Sequence, residues 1–515
     1  SRDELVAAMM DPAFYPKSPA SVTHKETHVS DVFLAGDLVY KLKKPVRYSF
    51  LDYSTLDKRR HFLAEELRLN RRLAPSVYLA VMPITCDSSG WRLGGWIDPA
   101  EYTLIMRRLP DRRMLAALLD SGRVNVQMMR SLAEVLADFH LKAEQVTGSE
   151  AAGHTVEVER EWNANLSDLR TIEGLMTPRG LNDIGDFGRL CLTENRERLK
   201  ARAREGWIRD VHGDLHCEHV CFASEGIQIY DCIEFDPKLR RCDLASEVAF
   251  LLMDLEVRGG GNLRAPFLDR YLELVKDREL LVLLPFYESY RALVRAKVES
   301  LRPQASKERA APYVRHALAL TWQPLKPFLM LLSGLTGSGK STIARELAAR
   351  IKLPVVNSDT VRKELAGISG ANPVAFGEGI YSEAMTEKTY ARMTELAEQN
   401  VRTGEGALLD ATFSRKKDRE KVIKLAQRLK VPLLSVHCFA PEETTKKRLL
   451  QRIREAKDVS DGRWDIYLRQ KEIYERIEEI PPSSRLELNT EAQTADVANT
   501  VEEFLRSRLT PRPVK

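Results

Sequence analysis

Residues 328–341 read Phe-Leu-Met-Leu-Leu-Ser-Gly-Leu-Thr-Gly-Ser-Gly-Lys-Ser, and they set the architecture of the C-terminal third of the chain. The first five are all apolar, which is typical of a parallel strand buried on both faces. Three glycines follow within six residues, and beyond them Ile343, Leu347 and Ile351 repeat every four positions, as on the buried face of a helix. The stretch therefore predicts a strand, a glycine-rich turn and a helix.

More strand-like runs follow this stretch, and helical segments separate them. The runs lie at 353–357, 407–410, 432–439 and 485–488. Because strand and helix alternate, the C-terminal third is predicted to be an α/β domain with a doubly wound parallel sheet.

The 515 residues are too many for one hydrophobic core, so we expect two or three domains. A proline-rich, irregular segment at 301–327 is predicted to be a linker between domains at 1–300 and 328–515. In the first 300 residues, strand-like segments come early, near 32–43 and 77–84, and helical segments follow. That order predicts an α+β domain.

Composition limits the functional classes. The chain has 79 basic and 74 acidic residues, a net charge of only +5, which is weak support for an extended nucleic-acid surface. Seven scattered cysteines do not form a disulfide framework and suit a reducing compartment. Residues 1–16 lack the pattern of a signal peptide, and no apolar run approaches the roughly 18 residues of a membrane span. We expect a soluble cytoplasmic protein without a membrane partner; the sequence does not indicate its oligomeric state.

The glycine-rich turn has the pattern of a P-loop. Its glycines let the backbone N–H groups point inward at phosphate oxygens, while the lysine reaches the β and γ phosphates and the following serine is a ligand for Mg²⁺. The predicted nucleotide-binding residues are Gly334, Thr336, Gly337, Ser338, Gly339, Lys340, Ser341 and Thr342. ATP is the expected nucleotide, with GTP possible. A glycine turn that binds nothing is the alternative, but the flanking strand and helix favour binding.

From this turn to about residue 510 the sequence resembles small AAA-type P-loop kinases related to polynucleotide kinases, zeta toxins and gluconate kinases. The resemblance also rests on Asn-Ser-Asp-Thr-Val-Arg at 357–362 and Ala-Leu-Leu-Asp-Ala-Thr at 407–412. It implies that Asp359 accepts the proton of the acceptor hydroxyl, that Arg362 holds the acceptor and that Asp410 binds Mg²⁺ through water. Alternatively, Asp359 only caps the helix that follows.

A cationic stretch near 446–454 resembles the lid of these kinases, which closes over the transferring phosphate. Arg448 and Arg452, one helical turn apart, are the candidates that would offset charge on the phosphoryl oxygens. A solvated helix face is the alternative for such a run.

A second resemblance lies upstream. Residues 211–222 read Val-His-Gly-Asp-Leu-His-Cys-Glu-His-Val-Cys-Phe, and residues 229–236 read Ile-Tyr-Asp-Cys-Ile-Glu-Phe-Asp. Together they resemble the aminoglycoside phosphotransferase family, which shares the protein-kinase fold. The resemblance implies that Asp214 lies beside the acceptor hydroxyl and that Asp231 holds the metal.

The same resemblance implies a lysine and glutamate pair that orients the nucleotide phosphates. Lys41 is the implied lysine and Glu66 its helix partner, with Lys43 and Glu65 as substitutes if the register differs.

The chain departs from this family at one metal position. His219 stands where these kinases usually place a metal-binding asparagine, and imidazole is a poor ligand for Mg²⁺. A clear glycine-rich phosphate loop is also missing from 28–36. The density of histidine and cysteine gives zinc as a further reading, with candidate ligands His212, His216, Cys217, His219 and Cys221.

As a whole, the chain resembles bacterial two-domain proteins that fuse these two kinase types. The resemblance implies a bifunctional phosphotransferase that uses ATP and Mg²⁺ and an acceptor hydroxyl, either on a small sugar-like molecule or at a nucleic-acid 5′ end. Two alternatives stay open: an N-terminal pseudokinase that senses a ligand and gates the P-loop domain, and a scaffold that hydrolyses ATP slowly as a switch.

Overall fold

The computed structural model describes residues 1–48, 51–95, 97–301, 307–367, 382–455 and 464–512, with the backbone alone at 452–455. Its internal contacts divide the chain into two units, Ser1–Ala317 and Leu318–Lys515. The segment predicted as a linker, 301–327, includes a helix at Lys307–Leu320, so it is not irregular throughout. The domain limits drawn from the sequence stay a prediction.

The first unit begins with an antiparallel sheet of strand order β1-β2-β3-β6-β4-β5. Its strands are β1 (Val22–Glu26), β2 (Ser30–Ala35), β3 (Leu38–Lys43), β4 (Tyr78–Asp87), β5 (Gly90–Leu93) and β6 (Glu101–Arg107). The strand-like run at 32–43 is two strands, because Gly36 adopts a positive φ of 63° and closes a two-residue hairpin in which Ala35 faces Leu38.

The rest of this unit is mainly helical. Its helices are α1 (Arg2–Met10), α2 (Leu56–Asn70), α3 (Leu115–Asp120), α4 (Val126–Lys142), α5 (Gly148–Thr171), α6 (Pro178–Glu194), α7 (Arg196–Arg204), α8 (Pro237–Arg240), α9 (Leu244–Val257), α10 (Arg264–Val275), α11 (Leu280–Leu301) and α12 (Lys307–Leu320). Two short antiparallel pairs interrupt them, β7 (Ile208–Asp210) with β10 (Arg241–Asp243) and β8 (Val220–Ala223) with β9 (Gly226–Ile229). An early sheet followed by helices is the α+β order that the sequence predicted.

Helix α9 is the centre of this unit. Every residue from Leu244 to Leu255 is buried, including the carboxylates Glu247 and Asp254. A helix that is buried on all sides is packed against neighbouring segments on all sides. Side chains on α9 can therefore fix the segments that surround it.

The second unit contains a parallel sheet of order β12-β13-β11-β14-β15, which confirms the α/β prediction. Its strands are β11 (Leu329–Ser333), β12 (Val355–Asn357), β13 (Ala407–Asp410), β14 (Leu433–Phe439) and β15 (Arg485–Asn489). Its helices are α13 (Lys340–Ile351), α14 (Ser358–Ala366), α15 (Glu383–Arg402), α16 (Lys416–Leu429), α17 (Glu442–Glu455), α18 (Trp464–Glu472) and α19 (Thr494–Arg508). All five residues of β11 are buried, because helices cover both faces of the sheet.

The carboxyl ends of β11, β12 and β13 meet at one edge of this sheet, since the strands are parallel and adjacent. Ligands of doubly wound sheets bind at such an edge. None of the helices within the described ranges combines the length and apolar character needed to cross a membrane.

Candidate functional site

The glycine-rich turn connects β11 directly to α13. Gly339 precedes the helix with a left-handed φ of 83°, and Lys340, Ser341 and Thr342 form the first turn. Because glycine has no side chain to cap the helix, the first N–H groups are available to a ligand. Gly334 has a φ of 148°, and a Cβ there would lie 2.4 Å from the carbonyl oxygen of Cys438, so no larger residue fits. The turn has the form of an anion cradle.

Asp410 ends β13 beside this turn and provides an oxygen suited to a metal ion. Its Oδ2 accepts a hydrogen bond of 2.8 Å from Nδ2 of Asn357. Its Oδ1 is buried and has no hydrogen-bond partner among the described residues. A buried carboxylate oxygen without a partner is costly unless a cation or water satisfies it. With the hydroxyl of Ser341, Asp410 offers the oxygen ligands that Mg²⁺ prefers, so the residues present fit this ion.

Asp359 and Arg362 lie on α14, which begins directly after β12. Nη1 of Arg362 is 3.0 Å from Oδ1 of Asp359. The helix cap is Asn357, whose Oδ1 accepts the N–H groups of Asp359 and Thr360, so the capping alternative for Asp359 is wrong. Asp359 is partly exposed and lies just after the carboxyl end of β12.

Asn357 thus joins the helix cap to the metal-binding candidate, and two substitutions separate these roles. Asn357→Ala should lower the stability of the C-terminal unit by about 1 kcal/mol, because the cap is lost. Asn357→Ser keeps a capping oxygen but has no amide to donate to Asp410. Both variants should weaken binding of Mg²⁺-nucleotide by roughly tenfold or more, as losing a partner of a metal ligand does. Urea unfolding and calorimetric titration measure the two effects; equal nucleotide affinity in all three proteins would contradict this role.

Arg448 on α17 lies against the P-loop through Thr490. Its Nη1 and Nη2 donate to Oγ1 and the carbonyl oxygen of Thr490, at 3.0 and 2.6 Å. The hydroxyl of Thr490 in turn donates to the carbonyl oxygen of Ser338 at 2.7 Å. The guanidinium is therefore not on a solvated helix face. The side chain of Arg452 lies outside the described residues.

Two residues at the P-loop were not found from the sequence. Thr490 follows β15, and Gln470 on α18 accepts a hydrogen bond of 2.9 Å from the N–H of Thr336. Uncharged polar side chains that lie far from the loop in sequence form no recognisable spacing with it. Only the fold brings them to the loop.

The N-terminal unit contains a second cluster of charged groups, in a cavity of about 480 Å³ between its sheet and the 211–236 segment. Nζ of Lys41 is 2.7 Å from Glu66 and 3.1 Å from Oδ1 of Asp231. Glu66 also accepts from Lys43 at 2.8 Å, whereas Glu65 pairs with Arg68 on the helix surface. The structure thus brings together the lysine, glutamate and aspartate that the resemblance singled out.

The charges in this cavity stabilise one another. Burial alone would lower the pKa of Lys41, but Asp231 and Glu66 outweigh it and raise that pKa. Lys41 also holds the pKa of Asp231 below its ordinary value. Asp231 has a positive φ of 64°, a strained conformation for a residue with a side chain. Its N–H donates to the hydroxyl of Tyr78 at 3.1 Å, which helps to hold this geometry.

Asp214 lines the same cavity. It lies on a loop whose backbone is held in place by buried side chains. Glu247 accepts the N–H groups of His212 and Gly213 at 2.8 and 3.0 Å, and Arg291 donates to the carbonyl oxygen of Gly213 at 3.2 Å. Burial would raise the pKa of Asp214, but the neighbouring His216 outweighs it, so that pKa is lowered. The ionised form of Asp214 is therefore favoured. No sequence pattern points to Glu247 or Arg291, because both bind backbone atoms of a remote segment.

Glu247 should make the stability of this unit depend on pH. Burial raises its pKa from 4.5 to about 7. Between these values the native state keeps a proton that the unfolded state releases, so stability falls as pH rises through this window and is level above it. The expected loss is up to about 1.4 kcal/mol per pH unit. Hydrogen exchange of α9 amides, compared between the wild type and Glu247→Gln, measures it; parallel pH profiles would contradict it.

The candidate metal ligands of this unit include both imidazole nitrogens and carboxylate oxygens. Nε2 of His219 faces Oδ2 of Asp231 at 3.6 Å. Asp214, His216 and His219 also bring possible ligand atoms within 4.8 Å of one another, and neither Cys217 nor Cys221 joins this group. The zinc reading from five histidine and cysteine residues therefore does not match the arrangement. A nitrogen ligand opposite Asp231 also does not fit a second Mg²⁺.

Comparisons with known proteins locate one family model in the C-terminal unit and find a relative that matches most of the chain. Residues 329–477 match the family model of an AAA domain. The uncharacterized protein Rv2004c of Mycobacterium tuberculosis (strain H37Rv) is 33% identical over 439 residues, which cover 83% of this chain and 86% of that protein. A shikimate kinase of Paramagnetospirillum magneticum (strain AMB-1) is 38% identical over 84 residues, 16% of this chain and 43% of that enzyme.

Among solved structures, the Mycobacterium tuberculosis APS kinase CysC in complex with AMPPNP and APS is similar to 35% of this chain. The likeness covers 98% of that chain at 19% identity, with a TM-score of 0.27. The matched model and the parallel sheet agree that the C-terminal unit is a P-loop kinase-like domain.

Proposed function

The chain belongs to the same family as Rv2004c of Mycobacterium tuberculosis, and from that premise we propose that it is a bifunctional ATP-dependent phosphotransferase with a hydroxyl group as acceptor. The matched 439 residues exceed the longer unit, Ser1–Ala317, so the match extends into both units. One P-loop site and one kinase-like site in the same chain would then be a property of the family.

The observation that carries the C-terminal half of this proposal is the buried, partnerless Oδ1 of Asp410 beside the glycine cradle. In the proposed reaction the cradle and Lys340 hold the phosphates, while Ser341 and Asp410 hold Mg²⁺, which neutralises phosphate charge when bound. Asp359 would accept the proton of the acceptor hydroxyl as its oxygen bonds to the γ-phosphorus, while the bond from that phosphorus to the β,γ-bridging oxygen breaks and ADP leaves. Arg362 positions the acceptor, and Arg448 stabilises the loop from the side of Thr490.

For the N-terminal half we propose a kinase-like domain of the aminoglycoside phosphotransferase type. The Lys41, Glu66 and Asp231 cluster supports this proposal, because it places one ammonium between two carboxylates in an open cavity. Asp214 would accept the proton of a second acceptor hydroxyl. Lys41 would orient the nucleotide phosphates.

The experiment is transfer of the labelled γ-phosphate of ATP to a panel of metabolites and oligonucleotides. Wild type, Lys340→Ala and Asp214→Asn are compared on the intact chain. We expect each variant to lose a different labelled product and to keep the other. If Asp214→Asn yields every product at the wild-type rate, the N-terminal domain is not a transferase and the gating pseudokinase is favoured.

Among acceptors we propose a small sugar-like molecule rather than a nucleic-acid 5′ end. The net charge of +5 on 515 residues gives little general attraction for a phosphate backbone. Transfer to a small alcohol should change little with salt concentration. Transfer to an oligonucleotide should fall steeply with salt, because counterions are released on binding, and that result would favour the nucleic-acid acceptor.

A further inference from the structure

We infer that the N-terminal cavity binds a first-row transition-metal cation through Nε2 of His219 and Oδ2 of Asp231, and so prefers an ion such as Mn²⁺ to Mg²⁺. This inference deepens the proposed N-terminal function and rests on it for the role of the cavity, but its test does not. It concerns the position at which the chain departs from the kinases it resembles.

The orientation of the His219 ring is fixed by its surroundings. Nδ1 lies 2.8 Å from the carbonyl oxygen of Asp214, an acceptor, so the proton of a neutral imidazole is on Nδ1. The ring of His216 packs against it with centroids 3.9 Å apart. Nε2 then carries a lone pair directed at Asp231, as in metal-binding histidines whose other nitrogen donates to a carbonyl.

The distance between the two proposed ligand atoms suits a shared ion. Nε2 of His219 and Oδ2 of Asp231 are 3.6 Å apart, too far for a good hydrogen bond. Two ligands about 2.1 Å from one cation are about 3.0 Å apart at an octahedral angle and about 3.4 Å apart at a tetrahedral angle, so a small shift of either side chain would let both bind. Lys41 binds the other carboxylate oxygen, Oδ1, at 3.1 Å, which leaves Oδ2 turned towards the imidazole.

A rival site made of Asp214, His216 and His219 is less suitable. It would need Nδ1 of His219, which already bonds the Asp214 carbonyl oxygen. Nη1 of Arg295 lies 3.3 Å from Nε2 of His216, the nitrogen that would have to bind the ion, whereas Lys41 contacts Oδ1 of Asp231 and not the proposed ligand atom Oδ2. We assign these residues to a hydrogen-bonded cluster instead.

Ligand chemistry decides the class of ion. Mg²⁺ demands oxygen ligands and keeps its water, whereas imidazole suits Zn²⁺, Cu²⁺, Fe²⁺ and Ni²⁺ and carboxylate suits Mn²⁺. Mn²⁺, the weakest binder of the transition-metal series, is the ion that can be compared most directly with Mg²⁺. An asparagine at position 219 would restore an oxygen. The histidine found there therefore shifts preference from Mg²⁺ to ions that accept nitrogen.

The test uses Mn²⁺ alone, without nucleotide, on the intact chain. The spin-echo spectrum of bound Mn²⁺ should show modulation from a directly bound imidazole nitrogen. His219→Asn should abolish this modulation and lower the ratio of Mn²⁺ to Mg²⁺ affinity by about tenfold or more. Asp231→Asn should weaken both ions. His216→Asn is the control for the rival site and should keep the modulation.

Two outcomes would overturn the inference. Wild-type Mn²⁺ without nitrogen modulation would mean that His219 acts as a charged bridge between the two aspartates and not as a ligand. Modulation lost in His216→Asn but kept in His219→Asn would move the metal to the rival site. Phosphate transfer by the Lys340→Ala chain is measured in parallel, so a failed metal site and a failed transferase give different results.

Discussion

Replacing Lys340 by alanine should lower phosphotransfer by the C-terminal unit roughly 10²- to 10³-fold, the loss found when one preorganised donor to a developing charge is removed. Lys340 begins α13 directly after the Gly339 turn, where the helix N-terminus would also face the phosphates of a bound nucleotide. The main-chain N–H groups remain in the variant, so binding of nucleotide should weaken but persist. Steady-state transfer rates and calorimetric titration with Mg²⁺-ATP separate the two effects.

The matched control is Lys424→Ala, which removes an exposed ammonium from α16 away from the cradle. It should leave transfer and nucleotide affinity unchanged. Equal rates in wild type and Lys340→Ala would show that the glycine turn is not a working phosphate site, and the proposed C-terminal function would fall with it.

Replacing Arg202 by leucine should destabilise the N-terminal unit by about 3–5 kcal/mol, the cost of leaving buried charges without their partner. The fully buried guanidinium donates two hydrogen bonds of 2.7 Å to Asp243 and bonds of 2.8 and 2.7 Å to Asp277. Burial alone would lower the pKa of Arg202, but these carboxylates outweigh it and raise that pKa. The two carboxylates would remain buried and uncompensated in the variant.

The control for this prediction is Arg202→Lys, which keeps the charge but lacks the planar fork that binds both carboxylates. Its loss of stability should be clearly smaller than that of Arg202→Leu. Hydrogen exchange of amides in α7 and α9 reports the stability of this unit separately from the P-loop domain. Similar protection in Arg202→Leu and wild type would contradict the prediction.

Periodicity in the sequence was a reliable guide where burial follows a simple repeat. The parallel strands were predicted within two residues at each end. The signal was clearest at β11 and β13, which are wholly buried and are almost entirely apolar. The run at 32–43 shows the limit of this signal. Both arms of the hairpin are strand-like, and a single glycine at 36 marks the turn between them.

Contacts between remote side chains were predicted only where a resemblance supplied them. Lys41 and Asp231 lie 190 positions apart in sequence, and no periodicity relates them. Glu247 shows what a resemblance of motifs leaves out. It accepts hydrogen bonds from the backbone N–H groups of residues 212 and 213. Such groups are present at almost every position, so no sequence pattern marks the partner of Glu247. The roles assigned to the site residues stay predictions until the variants are measured.

Helix α9 carries both a partner of Arg202, at its Asp243 cap, and Glu247, which holds the loop of Asp214. The loop is therefore held in place by contacts with α9, a deeply buried helix, and not by its own sequence. On heating, ligand binding in this cavity should be lost at the same temperature at which the surrounding core unfolds. We expect no temperature range in which the unit is folded and the loop is mobile.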